Sequence, residues 1–403
     1  MNKVKNYNVN NKNQLKVSEP VEEGEVKTVF SASTKKDKIS LKDFEVVSVI
    51  GTGSFGKVYH VMKKGTSESY AMKEMNKEVV ERENLTAHIF AEKSILQTIN
   101  HPFIVKLHYA FQTKDRLYLV LDLLSGGELF FHLGQVGVFE EPRARFYVAQ
   151  IGIALGYLHG LNIIYRDLKP ENAVLDKDGF VCLTDFGLAK ENVEGAGAST
   201  FCGTPEYLAP EFLMGKTYGR EVDWWSLGVL MYEMLFGIPP FYDENQNAMY
   251  ELILTAPLTF DDEITVSDEA KDLLTRLLDR NPTTRLQNVE DFTKHPFFKT
   301  MDFKKLYDRK IPPPFKPDAD VLKNFDSQFT TQKPEMSADD ANSKGFSNIV
   351  GFTFEGERPP DLGANKASST NNPPTKSAAQ QPIRSPPKHT AAKKAAAAPA
   401  PKK

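Results

Sequence analysis

Gly51-Thr-Gly-Ser-Phe-Gly56 places three glycines within six residues, between the β-branched, alternating runs Phe44 to Val49 and Lys57 to Met62. Glycine at these spacings lets a backbone close over phosphates, with Ser54 and Phe55 at the tip of the turn. Dinucleotide sites share the pattern, but they need a helix straight after the last glycine and an acid about 20 residues on. Here Lys57 to Val61 continue as a strand, and Ala71-Met-Lys73 lies on the next one. Lys73 is therefore placed to bring a point charge to phosphates, and Glu92 on the following helix is available to brace it. Further along, Tyr165-Arg166-Asp167-Leu168-Lys169-Pro170-Glu171-Asn172 gathers charged and amide groups in one stretch. Asp185-Phe186-Gly187 begins thirteen residues after Asn172, and Ala209-Pro210-Glu211 follows.

These groups need a frame, and the hydrophobic pattern supplies one. The two runs about the glycines read as a hairpin, Tyr70 to Met75 as a third strand, and Leu117 to Leu121 as a buried strand. Residues 86 to 99 carry Ile89, Ala91, Ile95, Leu96 and Ile99 near a 3.6 period, which predicts a helix. After about Ser125 helical periods dominate, over Arg143 to Leu158, Val222 to Leu235 and Ser267 to Leu278. The expected class is α+β with two lobes: a small β-rich lobe at 44–121, a connection at 122–124, and a larger α-helical lobe at 125–298. A ligand cleft would lie at their seam.

Composition bounds the rest. The chain has 403 residues, 40% of them apolar, so it can bury a sizeable core, and a wholly disordered or fibrous chain is excluded. Two cysteines cannot build a disulfide scaffold or a four-thiolate metal site, and their rarity fits a reducing, intracellular compartment. The net charge of −3 hides an asymmetry: residues 361 to 403 hold eight Lys and Arg against one acid, giving +7 there and −10 before it. That tail has seven Pro and eleven Ala, and its only large apolar residues are Leu362 and Ile383. It is expected to be disordered over 358–403, as are the polar, aperiodic residues 1–43. No stretch has the length and apolarity of a membrane span or a signal peptide.

Five motifs in register resemble the eukaryotic protein kinases: the glycine loop, Ala71-Met-Lys73, the stretch from Tyr165 to Asn172, Asp185-Phe-Gly187 and Ala209-Pro-Glu211. The resemblance covers about residues 44 to 298, and a match in the tail extends it to about 354. It implies the bilobal kinase fold, with ATP and Mg²⁺ as cofactors and Asp167, Lys169, Lys73 and Glu92 as the catalytic set. Asp167 would accept the hydrogen bond of the substrate hydroxyl, and Asn172 and Asp185 offer oxygen ligands suited to Mg²⁺. ATP would lie against Gly51, Gly53, Ser54, Phe55, Gly56, Val58, Ala71, Lys73, Leu121, Asp122, Leu124, Glu128 and Val174, with Val58, Ala71 and Val174 about the adenine. Lys169 and Thr204 resemble the lysine and hydroxyl partner of serine/threonine kinases, which favours a Ser/Thr acceptor. Asp223, and Glu211 with Arg285, resemble buried structural braces. Cys182 reads as a small buried hydrophobe and His101 as a loop histidine.

Tyr165 before Arg166-Asp167, and Thr200-Phe-Cys-Gly-Thr-Pro-Glu-Tyr207, are similar to the AGC group. So is the segment expected over 299–357, with Pro313-Pro-Phe-Lys-Pro317, Asn324-Phe-Asp326 and Gly351-Phe-Thr-Phe354. In that group Phe325 would return to cover the nucleotide, and Phe352 and Phe354 would dock on the small lobe. Tyr109-Ala-Phe-Gln-Thr113 and Ala87-His88 look closest to the ribosomal-protein kinase (S-six kinase) branch, with protein kinase B as neighbour. The 43 residues ahead of the domain are too few for a lipid-binding domain. Phosphorylation is expected on Thr200, Ser337 and Thr353, with His88, Arg166 and Lys190 reading the phosphate on Thr200. Ile349 stands where an aromatic is frequent, and Ala338 follows Ser337 where proline is common. Glu128, Glu171 and Glu233, with Thr204, would receive substrates carrying upstream arginines. The expected partners are protein substrates and upstream activating kinases, and the expected state is a monomer in the cytoplasm, with the nucleus as an alternative. Rival readings are a pseudokinase scaffold, which would lack the lysine or a metal ligand, and a nucleic-acid-associated protein acting through the basic tail. That tail has no aromatic residue for base stacking.

Overall fold

A computed structural model describes residues 38–53, 56–191, 198, 200–336, 346 and 348–356. Ser54, Phe55 and Ser337 lie outside the described residues, as do 1–37 and 357–403. Strands β1 (Phe44–Gly53), β2 (Gly56–Lys63) and β3 (Ser69–Asn76) form an antiparallel meander, and Gly53 pairs with Gly56 across the glycine turn. A short helix, α1 (Lys77–Arg82), and the longer α2 (Thr86–Thr98) follow, then β4 (Leu107–Gln112) and β5 (Arg116–Asp122). Asn76 starts α1 by accepting the Glu78 N–H, an N-cap that satisfies one of the orphan donors. The sheet order is β1-β2-β3-β5-β4, so β3, bearing Lys73, lies centrally.

Past the connection come β6 (Gly127–Glu128), α3 (Leu129–Val136) and α4 (Glu141–Gly160). Short strands β7 (Ile163–Ile164), β8 (Ala173–Leu175), β9 (Val181–Leu183) and β10 (Lys190–Glu191) bracket the motif-bearing loops. Helices α5 (Pro210–Leu213), α6 (Glu221–Phe236), α7 (Gln246–Thr255), α8 (Asp268–Leu277), α9 (Val289–Thr293) and α10 (Phe303–Tyr307) complete the large lobe. The central helices α4 and α6 are buried nearly all round, with Trp224 and Trp225 fully enclosed. Apolarity on every face is what such a position demands.

The tail segment adds α11 (Ser327–Thr330) and β11 (Phe354–Glu355), which extends the small-lobe sheet on the β4 edge. Residues at the amino end depart from the expected disordered segment. Leu41–Asp43 form a 3-10 turn closed by a reciprocal Ser40–Asp43 cap, and Ile39 and Leu41 pack on the outer sheet cluster. Two apolar side chains and a capping box are enough to seat this short stretch.

Candidate active site

Lys73 reaches Glu92 Oε1 of α2 at 3.0 Å and Asp185 Oδ1 at 3.2 Å, so the small lobe, its helix and the large lobe meet at one ammonium. Burial pulls the Lys73 ammonium down, but Asp185 and Glu92 outweigh it and hold it charged. The same cation keeps Asp185 below the usual carboxylate range. Burial raises Glu92, with Lys73 opposing. Asp185 has a φ of +51°, in the left-handed region, and its Oδ1 also accepts the Gly187 N–H at 3.3 Å.

Asp167, 9% exposed, accepts from Asn172 Nδ2 at 2.7 Å on Oδ2 and faces Lys169 Nζ at 3.3 Å on Oδ1. Burial raises its carboxyl above the ordinary range against the pull of Lys169. Lys169 also donates to Thr204 Oγ1 at 3.2 Å, which ties the loop at 165–172 to the segment at 200–207. The Asn172 amide nitrogen is spent on Asp167 and leaves its oxygen for a ligand. Asp185 likewise uses one oxygen on Lys73 and Gly187. An all-oxygen donor pair of this kind fits Mg²⁺.

A second tier holds this loop. Asp223, fully buried on α6, accepts the backbone N–H groups of Tyr165 at 2.9 Å and Arg166 at 2.7 Å and pairs with His159 Nε2 at 2.8 Å. Those bonds sustain Arg166 at a φ of +66°, a conformation non-glycine residues adopt only when fixed by their surroundings. Tyr165 donates to the Thr184 carbonyl beside Asp185. Arg285 grips Glu211 with two bonds, 2.6 and 3.0 Å, in a fully enclosed pair.

The predicted nucleotide residues converge on the seam. Val58 faces Gly51 and Lys73 in register, Ala71 faces Leu121, and Val174 faces Glu128 across β6 and β8. Asp122, at the end of β5, is held by His108 Nε2 at 2.6 Å. Leu124 is buried and Phe325 half-buried. Of the phosphate-reading set, Arg166 is engaged by the Leu188 carbonyl and the Tyr218 hydroxyl, and Tyr218 in turn donates to the Thr200 carbonyl at 2.6 Å. Tyr218 carried no signal in the sequence. His88 and Thr200 are exposed, and α2 lies against β10, which bears Lys190.

The acidic residues form a group. Burial, then Glu171 and Asp326, push Glu128 up to about 7 against Lys169. Burial, then Glu171 and Glu206, push Glu233 up to about 8, and Tyr207 donates its hydroxyl to Glu233. Asp326 and Glu206 lie within quoted motifs, but nothing in the sequence assigned either of them to this acidic group.

On the tail, Phe352 is fully buried and packs edge-on against Phe90 of α2, while Phe354 pairs with Ala110. Gln112 bonds both the N–H and the carbonyl of Ile349 at 2.9 Å. Cys182 is buried and its thiol is pushed up by desolvation. His101 lies in the loop between α2 and β4 and is packed there, stacked on Tyr157 with its ring nitrogen accepting the Phe103 N–H, and burial lowers it to about 4.

The family model for the protein kinase domain matches residues 44–298. The chain belongs to the protein kinase family. It is 51% identical over 298 residues to the chicken (Gallus gallus) serine/threonine-protein kinase Sgk1, a match covering 72% of this chain and 68% of that one. Identity is 46% over 332 residues with a RAC family serine/threonine-protein kinase homolog of Dictyostelium discoideum, covering 80% and 74%. With the serine/threonine protein kinase ypkA of Aspergillus fumigatus it is 50% over 316 residues, or 77% of this chain and half of that one. This kinase is accordingly a serine/threonine protein kinase of the AGC group. None of these three relatives carries a ribosomal-protein kinase name. No helix among the described residues is long and apolar enough to cross a membrane.

Proposed function

We propose that this kinase transfers the ATP γ-phosphate to Ser or Thr of proteins carrying upstream arginines, and that phosphates on Thr200 and Thr353 activate it. The observation that carries the reading is the Lys73–Glu92–Asp185 triad facing the Asp167–Asn172–Lys169–Thr204 cluster. Asp167 would accept the acceptor hydroxyl's hydrogen bond and take its proton as the new O–P bond forms and the bond to the leaving diphosphate breaks. Lys73 would hold the phosphates near the glycine turn, and Lys169 the group in transit. Asn172 and Asp185 would hold Mg²⁺, which when bound neutralises charge on the phosphates. Val58, Ala71 and Val174, with Leu121, Asp122 and Leu124, would receive the adenine, and Phe325 would close over it.

Glu128, Glu171 and Glu233 act on one another as an acidic group, and once Glu128 and Glu233 have released the protons that burial holds on them, the group suits guanidinium groups from a substrate. A phosphate on Thr200 would compete for Arg166 and draw Lys190 and His88 toward it. One on Thr353, exposed between two docked phenylalanines, would act beside α2. Residues 299–357 would be the regulatory segment, and the cytoplasm, with the nucleus as an alternative, the compartment, which two free cysteines suit. The decisive experiment is Asp167→Asn, which should abolish peptide phosphorylation with ATP binding largely kept. Equal turnover in that variant would remove Asp167 from its role. For the switch, Thr200→Ala and Thr353→Ala should each lower activity after activation in cells, and undiminished activity in Thr200→Ala would refute it.

A further inference from the structure

One tail contact falls just past the connection between the lobes, at Ser125. Asn324, 3% exposed, closes the 3-10 turn Val321–Asn324. Its Nδ2 donates to the Ser125 carbonyl at 3.0 Å and to the Asp318 carbonyl at 2.8 Å, while its Oδ1 accepts the Asp318 N–H at 3.0 Å. The amide is thus satisfied on both of its atoms in a buried setting, where an unmade bond is costly. Its backbone comes equally close. A Cβ on Gly127 would stand 1.9 Å from the Asn324 carbonyl oxygen, and Gly127 has a φ of +78°, so glycine is needed there on two counts. A Cβ on Gly126 would likewise stand 2.7 Å from Pro317 Cγ.

Three other backbone groups of the turn at 124–127 find partners within the large lobe or the turn itself. The Gly126 N–H donates to Leu175 at 2.8 Å, the Gly126 carbonyl accepts from His132 Nε2 at 2.6 Å, and the Gly127 N–H points at Leu124 at 3.5 Å. Ser125 takes its partner from a residue 199 positions away. The turn leads directly into Glu128, whose backbone pairs with Val174 on the floor of the seam.

We propose that Asn324 is a positioning residue for the nucleotide: by holding the Ser125 carbonyl it fixes the turn that carries Leu124 and Glu128 against the ligand. Glu128 and Leu124 then keep their spacing from Val174 before ATP arrives, which lowers the ordering cost of binding. The same anchor sets where the next residue, Phe325, leaves the turn. This inference rests on the reading of the seam as the ATP site.

The test is steady-state kinetics of the full chain with saturating peptide, together with calorimetric titration of ATP in Mg²⁺. Asn324→Ala should raise KM for ATP about tenfold, the equivalent of one net hydrogen bond, with a much smaller fall in kcat. Asn324→Asp keeps an acceptor for the Asp318 N–H but has no donor for Ser125, so it should match the alanine variant. Gly127→Ala presses on the same contact from the other side, and the double variant should lose less than the two singles multiplied together. An unchanged KM for ATP in Asn324→Ala, or losses that multiply fully, would overturn the proposal. Absence of ATP binding by the wild type would instead overturn the nucleotide-site reading beneath it.

Discussion

Raising the pH from about 6 to about 8 should tighten the binding of a peptide with upstream arginines, and leave one lacking them nearly unchanged. Burial holds Glu128 at about 7 and Glu233 at about 8, well above the ordinary 4.5, with Glu171 the next contributor to both. A guanidinium binds these groups as carboxylates, so each must release its proton first. A carboxyl with a pKa of about 7 goes from roughly 10% to roughly 90% ionised over that interval, about a tenfold gain in competent protein. A group at about 8 gains more, on the order of fifty-fold, so peptide KM should fall at least about tenfold. The comparison is made at constant ionic strength and saturating ATP, with two peptides differing only in arginine replaced by glutamine. Glu128→Gln and Glu233→Gln should raise KM and flatten the profile. The same shifts act on stability: the proton's contribution is complete below about 4.5 and is lost as pH rises through about 7 and 8. The glutamine variants should therefore melt above the wild type near pH 9. A KM ratio between the peptides that is flat with pH, or glutamine variants that keep the slope, would refute the assignment of these acids to arginine.

Glu211→Ala leaves the Arg285 guanidinium buried without its carboxylate and should cost about 3–5 kcal/mol, read by denaturant unfolding. Phe352→Ala empties a fully buried aromatic site and should cost about 3–5 kcal/mol locally, seen as faster amide exchange in β4 together with lower activity. Lys73→Met should lower turnover and Tm together, because it strands the buried Glu92 carboxyl, whose pKa would then rise further. Chelating Mg²⁺ should abolish phosphate transfer and restore it on readdition, with the melting curve of the ATP-free protein unchanged.

What was legible in the sequence is what chemistry forces into contiguous stretches. The glycine turn, Asp167 to Asn172 and Asp185 each sit where a loop leaves a strand, and long helices such as α6 announce themselves by length and apolarity. Shorter elements escaped. Helix α1 has six residues and depends on the Asn76 cap, and β4 carries an irregularity between Leu107 and Tyr109 that breaks alternation. Pairings between distant residues left no trace: Tyr218 bridges Arg166 and Thr200, His108 holds Asp122, and Asn324 reaches Ser125. Each uses an ordinary polar residue whose partner is chosen by tertiary packing, so no local spacing encodes it.

The tail and the seam share one helix, α2, and the register of that helix sets which of its residues meet each. Phe90 meets Phe352, Lys93 Nζ donates to the Gly351 carbonyl at 2.7 Å, and between them Glu92 faces Lys73. Ile89, Ile95 and Leu96 take the remaining side into the core. Helical geometry spaces successive residues by about 100°, so Phe90 and Lys93, three apart, share the tail face while Glu92 points to the cleft and the isoleucines and Leu96 to the core. A displacement of the tail is then felt at Glu92 through less than one turn of helix, with no intervening loop to absorb it. Glu92 is a buried carboxyl whose favourable partner is Lys73, so even a small shift of α2 trades a close ion pair for uncompensated desolvation. Docking of Phe352 and Gly351 opposes that shift, which is why a motif 166 and 167 residues beyond Asp185 belongs physically to the same site.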